Sequence, residues 1–261
     1  MPIKPAKYPI VLVHGMMAKD FAFYPAFRGI VSFLRQQNIP VYVTNQDGIG
    51  TIAGNAAQLK DEISQILKAE NCEKVNIIAH SKGGLDARYM ISRLDMADHV
   101  ASLTTLSTPH HGSKLCATLL RMPLWIAKFI NFFTNLCFRI LKDENPDLLA
   151  LGRELTDTAM VAFNREVPNS SQVYYQSYAS NAAGRKAFLL FIPYELSKYC
   201  EQGETDGMVS VSSSQWGAFK GKIPEEFDHF QMVGVYGSRR KLINVGLFYL
   251  HIIQELRDMG F

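Results

Sequence analysis

A chain of 261 residues, 48% of them hydrophobic, can bury a large core as one big domain or two small ones. Its net charge of +3 is too small to point to nucleic acid, and no basic run interleaved with aromatics appears. The four cysteines, Cys72, Cys116, Cys137 and Cys200, are scattered without a CxxC pair or ligand-like cluster, so zinc is not expected; one or two disulfides stay open, though a chain of this size does not need them. The amino terminus lacks a basic segment followed by an apolar stretch and a cleavage site, so no signal peptide is expected there. A mature exported form, leaderless export and a cytoplasmic protein would all look like this, which leaves localisation open.

Residues 8–13 (YPIVLV) form an apolar run too short for a helix and read as a buried strand. Gly15 permits a tight turn after it, and a helix is expected over about residues 24–36. A second strand follows at 39–44, and residues 52–69 read as an amphipathic helix with Ile52, Ala56, Leu59, Ile63, Ile66 and Leu67 on its apolar face. The stretch 75–89, VNIIAHSKGGLDARY, is the most informative. A short apolar run turns sharply at Ala79-His80-Ser81-Lys82-Gly83 and continues as a helix. Strand, tight turn and helix form the context in which G-x-S-x-G becomes a nucleophile elbow, with small residues two places either side of the serine. Here those places hold Ala79 and Gly83. A fourth strand is expected at 100–106. The alternation implies an α/β fold with a mostly parallel sheet covered on both faces.

The alternation breaks after residue 113. From 119 to 141 a single helix is expected, with Met122, Trp125, Ile126, Phe129, Ile130, Phe133, Leu136, Cys137 and Ile140 along one stripe. Arg121, Lys128, Asn131, Asn135, Arg139 and Lys142 gather on the other side. A membrane span needs about 20 predominantly apolar residues, and these polar residues argue against one. Two readings stay open: a buried helix, or a helix that covers a pocket in water and lies on a lipid surface when open, basic face outward. Asn145 as cap and Pro146 at the first helical position start another helix running to about 166. Further strands are expected at 173–178 and 187–192, mostly loop over 203–221, and a closing helix at 242–256. No linker divides the chain, so one domain over 1–261 is expected, with a lid insertion at about 114–166.

A serine hydroxyl needs a base, and the base needs a carboxylate to orient it. In the α/β-hydrolase arrangement the order along the chain is serine, acid, histidine. Only His229 and His251 lie far enough downstream of Ser81. His251 sits inside the closing helix as a structural residue, whereas His229 occupies a loop-like stretch. Asp206, in a turn beside Gly207, is the best acid; Glu195, Glu201 and Glu204 read as solvated charges, and Asp228 adjoins the histidine too closely to reach its far nitrogen. The oxyanion hole requires two converging backbone N–H groups, expected from Lys82 and from Met16 after the first strand.

Six ordered motifs then resemble the bacterial triacylglycerol lipases of the Pseudomonas, Burkholderia and Proteus type: YPIVLVHGM, VNIIAHSKGG, LTTLSTPHHGS, LTDTAMVAFNREVPN, TDGMVSVSS and DHFQ. The resemblance implies an α/β-hydrolase fold, ester hydrolysis at a lipid–water interface and a mobile helical lid. It supports Ser81, Asp206 and His229 as the triad, with Met16 and Lys82 as the oxyanion pair. Such relatives usually bind calcium through an aspartate two residues after the histidine. Here that position is Gln231, an uncharged ligand, so no metal site of that kind and no cofactor is expected. The partners expected are a lipid ester and, transiently, a lipid–water interface or membrane surface. Met122, Trp125, Ile126, Phe129, Ile130 and Phe133 are the candidate lid and acyl-binding residues. The function expected is a serine lipase working through an acyl-enzyme. The alternatives are a carboxylesterase, thioesterase or acyltransferase with the same triad, or a catalytically silent membrane-surface protein.

Overall fold

Along the first strand, β1 (Ile10–Val13), alternate side chains enter two different cores, which is what a strand buried on both faces must do. The computed structural model describes residues 5–16, 26–182 and 203–261. Six parallel strands, β1, β2 (Val41–Val43), β3 (Val75–His80), β4 (Val100–Leu106), β5 (Tyr174–Ala179) and β6 (Ala218–Lys222), stand in the order β2-β1-β3-β4-β5-β6. Ile10, Leu12, Ile78 and Leu106 pack beneath α1 (Arg28–Gln36) and the closing helix α8 (Arg239–Asp258). Val11, Val13, Ile77, Ala79 and Leu103 pack beneath α2 (Ile52–Glu70) and α3 (Gly83–Arg93). The chain therefore has the α/β-hydrolase architecture expected of it.

Several boundaries differ from expectation. The helix predicted over 119–141 is α5 (Leu124–Ile140), which starts later because Pro123 stands at its N-cap, and a separate short helix, α4 (Lys114–Leu119), precedes it. The helix predicted from Pro146 to 166 is divided. Asp147, not Asn145, caps α6 (Leu148–Glu154), and Thr156 caps α7 (Asp157–Glu166) through the Ala159 N–H at 3.2 Å. β6 lies inside a stretch predicted as loop. The strand predicted at 187–192 and the first part of the helix predicted at 24–36 lie outside the described residues.

The larger correction concerns α5. Its apolar stripe faces outward: Trp125 is 73% exposed, Phe129 64% and Ile140 74%. Its inner face is partly polar. The side-chain oxygens of Asn131 and Asn135 accept the N–H groups of Leu149 and Leu148 at 2.9 and 3.1 Å, capping α6, and Phe138 is buried against Gly48. The asparagines expected on the wet side thus turn inward because the first turn of α6 has unpaired donors to satisfy. At the foot of α5, Asp143 accepts from Gly48 N–H and Ile49 N–H, both at 3.0 Å. Asp47 returns the contact, accepting from Glu144 N–H and Asn145 N–H at 2.9 Å each. Among the described residues no helix is long and apolar enough to cross a membrane.

Candidate active site

β3 ends at His80 and α3 begins at Gly83, so two residues make the whole turn. Ser81 sits at φ 54, in the left-handed region that costs a non-glycine residue roughly 1–3 kcal/mol. Close backbone approach makes the turn possible. A Cβ on Gly83 would lie 2.4 Å from the His14 carbonyl oxygen, and one on Gly15 would lie 2.5 Å from Ser81 Cβ. The strained residue is held from β4: its N–H donates to the Leu106 carbonyl at 2.9 Å, and the Thr108 hydroxyl donates to its carbonyl at 2.7 Å.

The loop before α8 brings His229 to this apex. His229 Nε2 is 2.9 Å from Ser81 Oγ, and Nδ1 is 2.8 Å from Asp206 Oδ2. Asp206 is fully buried. Its other carboxylate oxygen accepts the N–H groups of Met208 and Val209 at 3.0 and 2.9 Å, and its carbonyl accepts the His229 N–H at 3.1 Å. A carboxylate on Nδ1 keeps the proton on that nitrogen and leaves the Nε2 lone pair facing the hydroxyl. The arrangement can accept a proton from Ser81. The rival residues stand elsewhere. Asp228 accepts from the N–H groups of Phe230 and Gln231 and from the Tyr236 hydroxyl. His251 is exposed on α8, 3.9 Å from Glu255, and Glu204 pairs with Lys222 on the surface. Glu195 and Glu201 lie outside the described residues.

Lys82 N–H has no acceptor among the described residues, as an oxyanion donor requires. Met16 lines a small cavity of about 50 Å³ together with Ser81, Pro109, Cys116, His229 and Phe230. Met16, Cys116, Leu155 and Met208 also line a neighbouring cavity of about 200 Å³, walled by apolar side chains from α4, α5 and α6. Of the six candidate acyl-binding residues, Met122 and Ile130 line this cavity. Ile126 is half-buried and is not part of its lining, whereas Trp125, Phe129 and Phe133 face outward, because the stripe they share is the outer face of α5.

Three contributors were missed from sequence. His80 packs its ring against His229, centroids 4.4 Å apart, and burial above all holds it well below the usual histidine value, so it is neutral. Thr108 props the strained carbonyl, as described. Asp86 binds the Lys82 ammonium, and for this pair a signal existed: positions 82 and 86 are one helical turn apart. Farther out, Arg88 is buried under Trp216, 3.6 Å from the ring centroid, and reaches His110 Nδ1 at 3.2 Å and the Asn164 side-chain oxygen at 2.9 Å. Burial pushes its guanidinium down to about 9. Gln231 accepts the Lys241 ammonium at 2.8 Å, and among the described residues no group of three or more His, Cys, Asp or Glu side chains could hold a metal ion.

The palmitoyl protein thioesterase family model matches residues 9–183. Triacylglycerol lipase 2 of Saccharomyces cerevisiae is 30% identical over 257 residues, covering 89% of this chain and 73% of the yeast protein. A triacylglycerol lipase of Pseudomonas fragi is 27% identical over 292 residues, 97% of each. One from Pseudarthrobacter phenanthrenivorans is 35% identical over 179 residues, and there the match spans only 55% of the relative's length. In fold the chain is similar to a mature Bacillus licheniformis lipase, with a TM-score of 0.72 at 22% identity over 97% of this chain and 94% of that one. With a serine, a histidine and a buried carboxylate in line at a sheet-edge turn, the chain belongs to the palmitoyl protein thioesterase family and, with the triacylglycerol lipases, to the serine ester hydrolases of α/β-hydrolase fold.

Proposed function

We propose that the chain is a lipase that cleaves carboxylic esters of fatty acids through an acyl-enzyme, with Ser81 as nucleophile, His229 as base and Asp206 as orienting acid. The observation that carries the reading is the relay from Ser81 Oγ to His229 to Asp206, at 2.9 and 2.8 Å, beside an apolar cavity. His229 takes the hydroxyl proton as Oγ attacks the ester carbonyl. The developing oxyanion lies between the N–H groups of Lys82 and Met16, each such donor contributing roughly 3 kcal/mol. The imidazolium, steadied by ionised Asp206, gives its proton to the departing alcohol, and water repeats the sequence to release the acid.

The acyl chain runs from the serine past Cys116 and Leu155 into the larger cavity. Residues 114–166 form a lid inserted into a single domain spanning 1–261. The outward apolar face of α5 supports a resting place on a lipid–water interface. Between Lys114 and Lys142 the chain carries five cations and no acid, and Lys128 and Arg139 flank the exposed stripe. Relatives named triacylglycerol lipase support a glycerolipid ester. A second reading, favoured by the thioesterase family model, is cleavage of an acyl thioester by the same triad.

Treatment with an organophosphonate followed by mass spectrometry should locate one adduct, on Ser81. A series of esters and acyl thioesters, assayed with and without emulsion, separates the two substrates, and a rate jump above the solubility limit is expected for the lipase. A protein that forms no adduct and hydrolyses no ester refutes both.

A further inference from the structure

Lys82 is only 1% exposed, yet it carries a charge directly behind the serine. Its Nζ lies 2.6 and 2.9 Å from the two carboxylate oxygens of Asp86, one turn along α3. Asp86 is equally buried and accepts from Asn55 Nδ2 of α2 at 3.3 Å. Asn55 in turn donates to the Asp47 carbonyl at 2.7 Å. The half-buried Glu154 of α6 faces the same pair and accepts the Ile52 N–H at 2.8 Å.

Stability does not explain the pair. Two charges taken out of water lose hydration that their attraction barely returns, and apolar residues of similar volume often serve a fold as well or better. A cation in the first turn of a helix is also opposed by the helix dipole. Position gives a better account. The Lys82 carbonyl accepts from Leu85 N–H at 2.8 Å and Asp86 N–H at 3.1 Å, its side chain is tied to the Asp86 carboxylate, and its own N–H is left without a partner among the described residues. The residue is anchored everywhere except at the one group the reaction needs.

We propose that Asp86 is a positioning residue: by holding the Lys82 ammonium it fixes the peptide between Ser81 and Lys82, so that the Lys82 N–H is aimed at the oxyanion. This rests on the oxyanion role given to Lys82 above. Burial pushes the Asp86 carboxyl up to about 6, against the attraction of Lys82 and with Glu154 adding to the rise. Protonation of Asp86 in that range releases Lys82, so kcat should fall as this carboxyl takes up its proton.

The test compares wild type, Asp86→Asn, and the double variant Lys82→Met with Asp86→Leu, using a soluble p-nitrophenyl ester between pH 5 and 8. The double variant leaves no stranded charge, so it should fold with an unchanged or higher melting temperature. Its kcat should fall 10- to 100-fold with KM within about twofold, less than the 10²- to 10³-fold lost when an oxyanion donor is removed outright. In it and in Asp86→Asn, the part of the fall in kcat near pH 6 that follows Asp86 should disappear. A double variant that turns over at the wild-type rate with an unaltered pH profile overturns the proposal. Turnover that needs Ser81 but ignores the pair refutes only the positioning role, whereas turnover that survives Ser81→Ala refutes the triad and the positioning role with it.

Discussion

Replacing Gly152 by leucine should shift hydrolysis towards short-chain esters. Gly152 lies on α6 and lines the 200 Å³ cavity, and a Cβ added there meets Leu120 Cδ2 at 3.6 Å, an ordinary contact. The first carbon is therefore accommodated, and the rest of a leucine side chain grows into the space assigned to the acyl chain. The three remaining carbons displace about three methylenes, each worth about 0.8 kcal/mol of burial. The loss is about 2.4 kcal/mol, on the order of a 50-fold fall in kcat/KM for esters long enough to fill the cavity. Esters that use only the 50 Å³ space beside Ser81 should be hydrolysed as before. A series of p-nitrophenyl esters from acetate to palmitate measures both ends. Gly152→Ala is the control: in a helix interior it should raise stability by up to about 1 kcal/mol and leave the chain-length profile alone. Equal losses on acetate and laurate, or no loss on either, would show that the chain does not pass this glycine.

Three further outcomes are expected. Asp206→Asn should lower kcat by about 10⁴-fold with a folded, soluble product, because the imidazole then rests in the wrong tautomer; retention of more than a tenth of the activity removes Asp206 from the triad. Exchanging Trp125 and Phe129 for serine should leave hydrolysis of dissolved esters intact and weaken adsorption to emulsified lipid, read by co-sedimentation; undiminished adsorption sinks the interfacial role of α5. Buried His80 and His110 both have pKa values held well below 6.5, chiefly by burial, so below pH 6.5 the unfolded chain takes up protons that the folded one refuses. Stability should fall as pH is lowered, by about 1.4 kcal/mol per unit for each histidine, partly offset below about pH 6 by Asp86, whose raised value favours the folded form there. The urea midpoint at pH 5.5 should lie below that at 7.5, and an equal or higher one refutes the assignment.

What could be read from the chain followed from how strongly burial constrains each segment. β1, β3 and β4 are buried along their whole length: β1 is a continuous apolar run, and β3 and β4 remain mostly apolar despite buried Asn76, Ser102, Thr104 and Thr105. Chain order, with the loop-like setting of His229 and the turn at Asp206, picked out three residues up to 148 positions apart that His229 links by hydrogen bonds to Ser81 and Asp206. β6 escaped because AFKGK is largely exposed and carries no alternation to see. The division at Leu155–Thr156 escaped because the apolar period runs on across a cap whose signal, Thr156-Asp157, is only two residues long. Periodicity placed Trp125, Phe129 and Ile140 on one stripe of α5 but could not say which way the stripe turns. That depends on where the donors of α6 need acceptors, a tertiary fact.

The paired aspartates at the foot of α5 tie down one end of the proposed lid. Asp47 and Asp143 exchange four backbone donors across the gap, so that end is bolted to the body of the molecule. A helix of 17 residues is about 25 Å long, so a slight rotation at the bolt becomes a shift of many ångströms at the Pro123 end. That far end carries Met122, one wall of the chamber beside the serine. If the segment opens as the lid proposed above, it would swing like a door on that jamb, widest where an acyl chain would enter.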